Sequence, residues 1–353
     1  MAALVFVGFG LWLAVTRIEP VQQSILHRVV GGIMQKSQES LFADDALRAV
    51  VCGSASPIPD LNRAGPCIAV LAGGKFYVVD TGAGSAENFS IWRMPFDKIG
   101  GVFLTHFHSD HITDLGEWNL QSWISGRPAP LRVFGPSGVE KVVSGFSQAY
   151  ALDNEYRTAH HGAGVLKPAV GKLSANTFGL DENDAAGTVV LEENGLVVRA
   201  FAVDHAPIHP AVGYRFDYKG RSVVVSGDTV ASPSLIAAAK GADVLFHEAQ
   251  ANFIVDVMRE EAQAANLPRY AKVLGDIPSY HTTPVEAATV ANDAGVDLLV
   301  LYHLTPPPPN PIVERIFMRG VADVRPKGVA LSRDGFLVTL PLDSKDVKTG
   351  SVR

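Results

Sequence analysis

The sequence predicts an α+β protein in which two sheets pack face to face and helices cover both outer sides. Two observations carry this. The 353 residues include 33 glycines and 22 prolines, which implies frequent turns and suits short strands better than a helical bundle. The apolar runs fall into two β-rich halves of similar order with helical stretches interspersed, and a facing pair of sheets would bury both sets. With 47% hydrophobic and 19% charged residues, the profile is that of a soluble globular chain with a large core.

The chain starts with an apolar, unbroken run at residues 2–15, followed by Thr16 and Arg17. A membrane span takes about 18 or more apolar residues, so this run has the length of a signal-peptide core instead. It lacks a basic start and a clear small-x-small cleavage site, so an uncleaved anchor fits as well as a removed signal. Residues 1–19 therefore read as signal peptide or membrane anchor and 20–45 as a helical connector. Residues 46–340 read as the main globular domain and 341–353 as a tail. Export, to the periplasm or to a membrane surface, is the expectation.

Residues 49–52, 67–72 and 75–80 read as strands, the last two separated by Gly73 and Gly74. Cys52 and Cys67 flank a Gly/Pro/Ser-rich loop. Their residue type favours two buried thiols, and export would permit a disulfide. Strands at 102–105 and 131–134 follow, with helices at 112–123 and 139–151. Residues 153–184 show little periodicity and read as a long irregular excursion. Strands resume at 188–192, 196–204, 211–217 and 222–226, with hairpin turns at Asn194-Gly195 and Lys219-Gly220. A helix at 233–240, a strand at 244–246, a helix at 284–294 and a strand at 298–302 come next. Residues 306–309 are a rigid proline run, and 328–340 read as a hairpin around Asp334-Gly335.

The chemistry concentrates at His106, His108, Asp110 and His111, directly after the apolar run 101–105. Neutral imidazole is the commonest protein ligand for zinc-like ions, and a carboxylate is the usual companion. The alternative is a polar turn rich in histidine by chance, which this spacing disfavours. Ligands at a strand end are held rigidly at their bases and can still converge. A centre for two ions needs more ligands than one turn supplies. His205 follows the run 196–203, Asp228 follows 223–225 and His303 follows 298–301, each just beyond an apolar strand.

Taken together, these residues resemble the metallo-β-lactamase superfamily, over about residues 48–335. Val79-Asp80-Thr81-Gly82 is similar to its early Asp motif, and His106-x-His108-x-Asp110-His111 to its main signature. The branch resembled is that of ribonuclease Z and the arylsulfatase-like enzymes. Asp204-His205 with Gly213-Tyr214-Arg215, Ser226-Gly227-Asp228-Thr229 and Phe246-His247-Glu248-Ala249 match its motifs. So do His281-Thr282-Thr283 and Leu301-Tyr302-His303-Leu304. The resemblance implies a four-layer αβ/βα sandwich, the metallo-β-lactamase fold, holding two divalent ions, usually zinc, with manganese also accommodated. By it, His106, His108 and His205 hold one ion, Asp110, His111 and His303 the other, and Asp228 bridges them. From their chemistry, Asp110 is also expected to orient the nucleophile, and His281 to protonate the leaving oxygen with Glu248 orienting it; a helix-capping or structural histidine and an internal salt bridge are the alternatives for these two. Asp80 supports the ligands. Only residues 206–227 separate His205 from Asp228, so the long flexible arm that ribonuclease Z carries there is absent.

The expected function is a metal-dependent hydrolase in which hydroxide between two ions cleaves phosphodiester or aryl sulfate esters of small substrates. The alternatives are a ribonuclease Z-like endonuclease processing tRNA 3′ ends, and a lactone or β-lactam hydrolase. The formal net charge of -6 gives no support for a broad basic surface and leaves a local basic groove open. The expected partner is thus a small-molecule ester. Nucleic acid is disfavoured, membrane contact follows if the N-terminus is uncleaved, and a homodimer is compatible. His209, His160 and His161 read mainly as surface residues, and Trp118 and Trp123 as core or pocket wall.

Overall fold

The computed structural model describes residues 12, 15–34, 37–180 and 187–353. Most of the apolar run at 2–15, on which the expectation of a signal or anchor rests, lies outside them. Among the described residues no helix is long and apolar enough to cross a membrane. The first well-described helix, Glu19–Met34, exposes Ile25, Leu26, Val29 and Val30.

Strands β1 (Ala46–Gly53), β2 (Cys67–Ala72), β3 (Lys75–Val79), β4 (Ile99–Phe103), β5 (Leu131–Gly135) and β6 (Leu173–Thr177) fill the first half. Strands β7 (Thr188–Glu193), β8 (Leu196–Ala202), β9 (Val212–Tyr218), β10 (Arg221–Val225), β11 (Val244–Gln250), β12 (Leu298–Thr305) and β13 (Val329–Leu331) fill the second. Finally, β14 (Phe336–Pro341) and β15 (Lys348–Ser351) return to the first sheet. Its order is β15-β14-β1-β2-β3-β4-β5-β6, and that of the second sheet is β13-β12-β11-β10-β9-β8-β7.

Burial on both faces explains why most strands read as continuous apolar runs. In β10, Val223 and Val225 point to the partner sheet and Val224 to the helices, following the two-residue period of a strand. The inner core joins Val51, Val70 and Phe103 of the first sheet to Val198, Phe216 and Val225 of the second. On the outer side of the first sheet, Phe89, Trp118 and Val139 from three helices cover Val50, Phe76 and Val102. Leu235, Ala291 and Phe317 do the same for Val224, Leu245 and Leu299. Each such side chain contributes roughly 1.5–3 kcal/mol of burial. The layers therefore run helix, sheet, sheet, helix, as expected.

Helix Pro284–Ala294 shows why some boundaries are readable. Thr283 caps it in a reciprocal box with Glu286, Pro284 stands at the first turn, and Gly295 closes it at φ 69°.

Two expectations are corrected, two helices are added and one open question closes. The excursion at 153–184, whose residues 181–184 lie outside the described ones, contains helix Ala151–His161 and strand β6. The hairpin at 328–340 does not exist: β13 pairs with β12 and β14 with β1, so the chain crosses between sheets at Asp334-Gly335. Helices Asn252–Ala264 and Pro268–Asp276 went unread. They pack on each other through Val255, Ala262, Ala271 and Leu274, a satellite core apart from the sheets. Cys52 and Cys67 form a disulfide, their Cα atoms 5.0 Å apart, where β1 and β2 pair.

Candidate metal centre

The strand ends of both sheets deliver the candidate ligands to one place. The chain leaving β4 presents His106 and His108, and helix Ser109–Ile112 then carries Asp110 and His111. His205 lies beyond β8 and Asp228 beyond β10. His303 departs from expectation, for it sits inside β12. Glu248 pairs with Tyr302 and Ala249 with Leu304, which leaves His303 as the extra residue of a bulge at φ 46°. A bulge re-aims a side chain, and here it brings His303 to the other ligands.

Asp228 is the hub. Its Oδ2 lies 3.3 Å from Nε2 of both His111 and His303, and 4.0 Å from Nε2 of His106 and His205. Asp110 Oδ2 is 3.4 Å from the same His111 and His303 nitrogens. His106 Nε2 and His108 Nδ1 approach to 2.9 Å. The ligand atoms of His106, His108, His205 and Asp228 all fall within 4.8 Å of one another, as do those of Asp110, His111 and His303.

These atoms fit a pair of divalent cations. Asp110 Oδ2, His111 Nε2, His205 Nε2, Asp228 Oδ1 and His303 Nε2 are buried without a hydrogen-bond partner. Protein interiors rarely leave such groups unpaired, and a concentration of them facing one point is what cations satisfy. The donor set of imidazoles and carboxylates suits zinc or manganese.

Electrostatics agree. Burial holds the imidazoles of His106, His108 and His205 below the usual histidine range, in the neutral form that ligates. Burial works against a charged Asp228, yet His303 and His111 outweigh it and hold the carboxyl well below its usual range. Burial likewise disfavours a charged His111, but Asp228, Asp110 and Asp80 push it well above the usual range. The pocket thus gathers enough negative charge to retain a proton where a cation would sit.

Partners behind the ligands fix ring orientation. His111 Nδ1 lies 2.8 Å from Asp80 Oδ2, and Asp80 also accepts from the Thr105 backbone N–H and hydroxyl, both at 2.8 Å. Asp80 itself is held at φ 60°. His205 Nδ1 donates to the Tyr280 carbonyl at 2.9 Å, and His106 Nδ1 lies 3.1 Å from the Thr105 hydroxyl. Thr105 and Tyr280 were not foreseen. Thr105 directly precedes the cluster and could have been noticed, whereas a backbone carbonyl carries no sequence signal.

His281 stands at the rim, its ring centroid 5.3 Å from that of His205 and 5.7 Å from that of His303. Its Nδ1 lies 2.8 Å from Glu248 Oε1, an oxygen that also accepts from the backbone N–H groups of Thr229 and Thr282. Burial disfavours charge on His281, but Glu248 overcomes it and pushes the imidazole up to about 9. The Glu248 contact thus favours the imidazolium, the form able to give up a proton.

The remaining candidates lie elsewhere. His160 and His161 end an exposed helix and meet edge to face. His209 is exposed. Trp118 and Trp123 are buried, as anticipated.

Comparisons with known proteins match this architecture. The model of the beta-lactamase superfamily domain matches residues 76–304. Ribonuclease Z of Mycobacterium marinum is 36% identical over 263 residues, 74% of this chain and 87% of that one. Its counterpart from Mycolicibacterium paratuberculosis is also 36% identical, over 74% of this chain and 86% of its own. Among solved structures, the metallo-beta-lactamase fold protein YhfI from Bacillus subtilis aligns with a TM-score of 0.60 at 18% identity, covering 84% of this chain and all of that one (100%). Human tRNase Z, short form, aligns at 0.58 and 19%, covering 83% and 99%. At that identity the structural likeness concerns the fold.

Proposed function

The chain belongs to the metallo-β-lactamase superfamily of hydrolases, in its ribonuclease Z branch, and from that premise we propose that it is a ribonuclease Z-like phosphodiesterase acting on RNA. This reading replaces the emphasis on aryl sulfates and small esters, because the relatives sharing most of the chain's length are ribonucleases. The observation that carries it is the His281–Glu248 pair beside the ligand cage. Cleaving a phosphodiester expels a poorly acidic alcohol, which needs a proton donor at the leaving oxygen.

His106, His108 and His205 would hold one divalent cation and Asp110, His111 and His303 the other, with Asp228 between them. When bound, such a pair acidifies a water and offsets the charge that grows on the phosphate. The chain's own residues do the rest. Asp110, with Oδ2 otherwise unpartnered, orients the attacking water. His281 delivers its Nε2 proton to the leaving oxygen, while Glu248 Oε1 holds Nδ1–H and steadies the charged ring. Zinc is the ion we propose, with manganese as a working substitute.

One set of observations favours a second reading, a small phosphodiester as substrate in an oxidising compartment. The segment between His205 and Asp228 is spent on β9 and β10 inside the sheet, with no projecting arm. The Cys52–Cys67 disulfide suits an exported protein. The test is to load the full chain with zinc or manganese and offer a tRNA precursor with a 3′ trailer beside nitrophenyl esters of phosphate, phosphodiester and sulfate. Endonucleolytic cleavage of the precursor supports the ribonuclease reading. Turnover of the small phosphodiester alone supports the second, and turnover of the sulfate alone ends both.

A further inference from the structure

We propose that Ser56 is a substrate-binding residue whose hydroxyl donates to an oxygen of the nucleotide flanking the scissile phosphate, and that the Cys52–Cys67 disulfide positions it. This deepens the phosphodiesterase reading and rests on it. A cavity of about 730 Å³ opens between the loop at residues 53–66 and helix Ser109–Ile112, with Ser56, Asp60, Arg63, Ser109 and Asp110 in its walls. Asp110 is common to this cavity and the ligand cage. Its volume lies within the range of pockets that take small organic ligands.

Ser56 is only 4% exposed, and its Oγ has no hydrogen-bond partner. Buried hydroxyls nearly always have one. An unpartnered hydroxyl in the lining of a cavity that shares Asp110 with the cage is a contact left for a ligand. An acceptor oxygen of a phosphate or ribose fits it, and Ser56 is too far into the wall to serve as a surface solubilising group.

The loop cannot easily turn Ser56 away. Ala55 bridges to Leu304, the residue after His303, and the Leu304 N–H donates to the Ser54 carbonyl at 2.9 Å. Asp334 accepts from the Ser54 and Ala64 backbone N–H groups, at 3.0 and 2.6 Å. The disulfide ties both ends of the loop where Gly53 and Gly65 touch, so closely that a Cβ on Gly53 would lie 1.7 Å from the Gly65 carbonyl oxygen. The loop thus transmits its geometry to Ser56 from a covalently closed base.

The test is steady-state kinetics of the metal-loaded full chain on the p-nitrophenyl ester of thymidine 5′-monophosphate. Ser56→Ala should raise KM about tenfold, the scale of one hydrogen bond to a charged or polar ligand group, with kcat and metal content held. Ser56→Thr, which keeps the hydroxyl, should retain the wild-type KM. The Cys52→Ser/Cys67→Ser double variant should also raise KM at constant kcat, and adding Ser56→Ala to it should cost little more. A Ser56→Ala enzyme with unchanged KM overturns the proposal, as does a folded Ser56→Thr enzyme that behaves like the alanine variant. If wild type fails to hydrolyse the ester, the tRNA precursor decides the phosphodiesterase reading, which falls if the precursor too stays intact. Binding of thymidine 5′-monophosphate by calorimetry then decides Ser56: weaker binding by Ser56→Ala sustains its role, and equal binding ends it.

Discussion

Glu248 Oε1 lies 2.8 Å from His281 Nδ1, and this contact favours the charged form of a buried imidazole at the edge of the ligand cage. The carboxylate is fully buried and is itself fixed by two backbone N–H donors, so the geometry does not depend on solvent. His281→Ala should therefore slow cleavage of substrates with poor leaving groups by about 10²–10⁴-fold. A nitrophenolate, which leaves without help, should be affected far less, and bound metal should be retained. Parallel kinetics and elemental analysis check this.

A pH profile reads the same group from another side. An acid works only while protonated, so activity that depends on His281 is present below its pKa and is lost as pH rises through about 9. Glu248→Gln removes the charge that keeps the proton on the ring, and burial alone would then lower the pKa. The alkaline limb should shift to lower pH in that variant and disappear in His281→Ala.

Glu193 clamps the two sheets. Its Oε1 accepts from the Tyr77 hydroxyl at 2.6 Å and Arg132 at 2.8 Å, linking β7 to β3 and β5. Burial would raise the carboxyl, but Arg132 and Tyr77 outweigh it and lower the value from 4.5 to about 2. A folded-state pKa below the unfolded one stabilises above the unfolded value and loses that contribution as pH falls through the folded value. The clamp should therefore be fully present above about 4.5 and fade from there towards about 2. Glu193→Gln should lower Tm at pH 7, with the difference shrinking in melts run progressively nearer pH 2.

Reducing the disulfide should also destabilise the chain. It joins residues 15 apart in sequence, and closing a loop of that length is worth about 3 kcal/mol in the chain-entropy description. Denaturant unfolding with and without reductant measures this, and metal content should stay constant because neither cysteine faces the cage.

Much of the site was legible because its signals are local. Four candidate ligands fall between residues 106 and 111, and His205 and Asp228 stand just past apolar runs whose ends could be read. His303 joins the cluster by a route the sequence does not show. The strand does not stop before it but bulges around it, and a bulge depends on pairing with β11 that sequence alone does not display. Asp334-Gly335 misled for a related reason. The dipeptide has hairpin chemistry, but the carboxylate serves the loop at 53–66, and the flanking strands join different sheets. The disulfide was open because residue type favours buried thiols as much as a bond, and only the pairing of β1 with β2 decides between them. The helices after Gln250 escaped because their small apolar faces pack on each other and leave the main core untouched.

Metal content measured together with turnover tests the central claim most directly. The cage geometry predicts a pair of divalent ions in the active full chain, with both metal and activity lost on Asp228→Ala, the carboxylate shared by the two ligand groups. Full hydrolytic activity in a chelated sample free of divalent metal would contradict it.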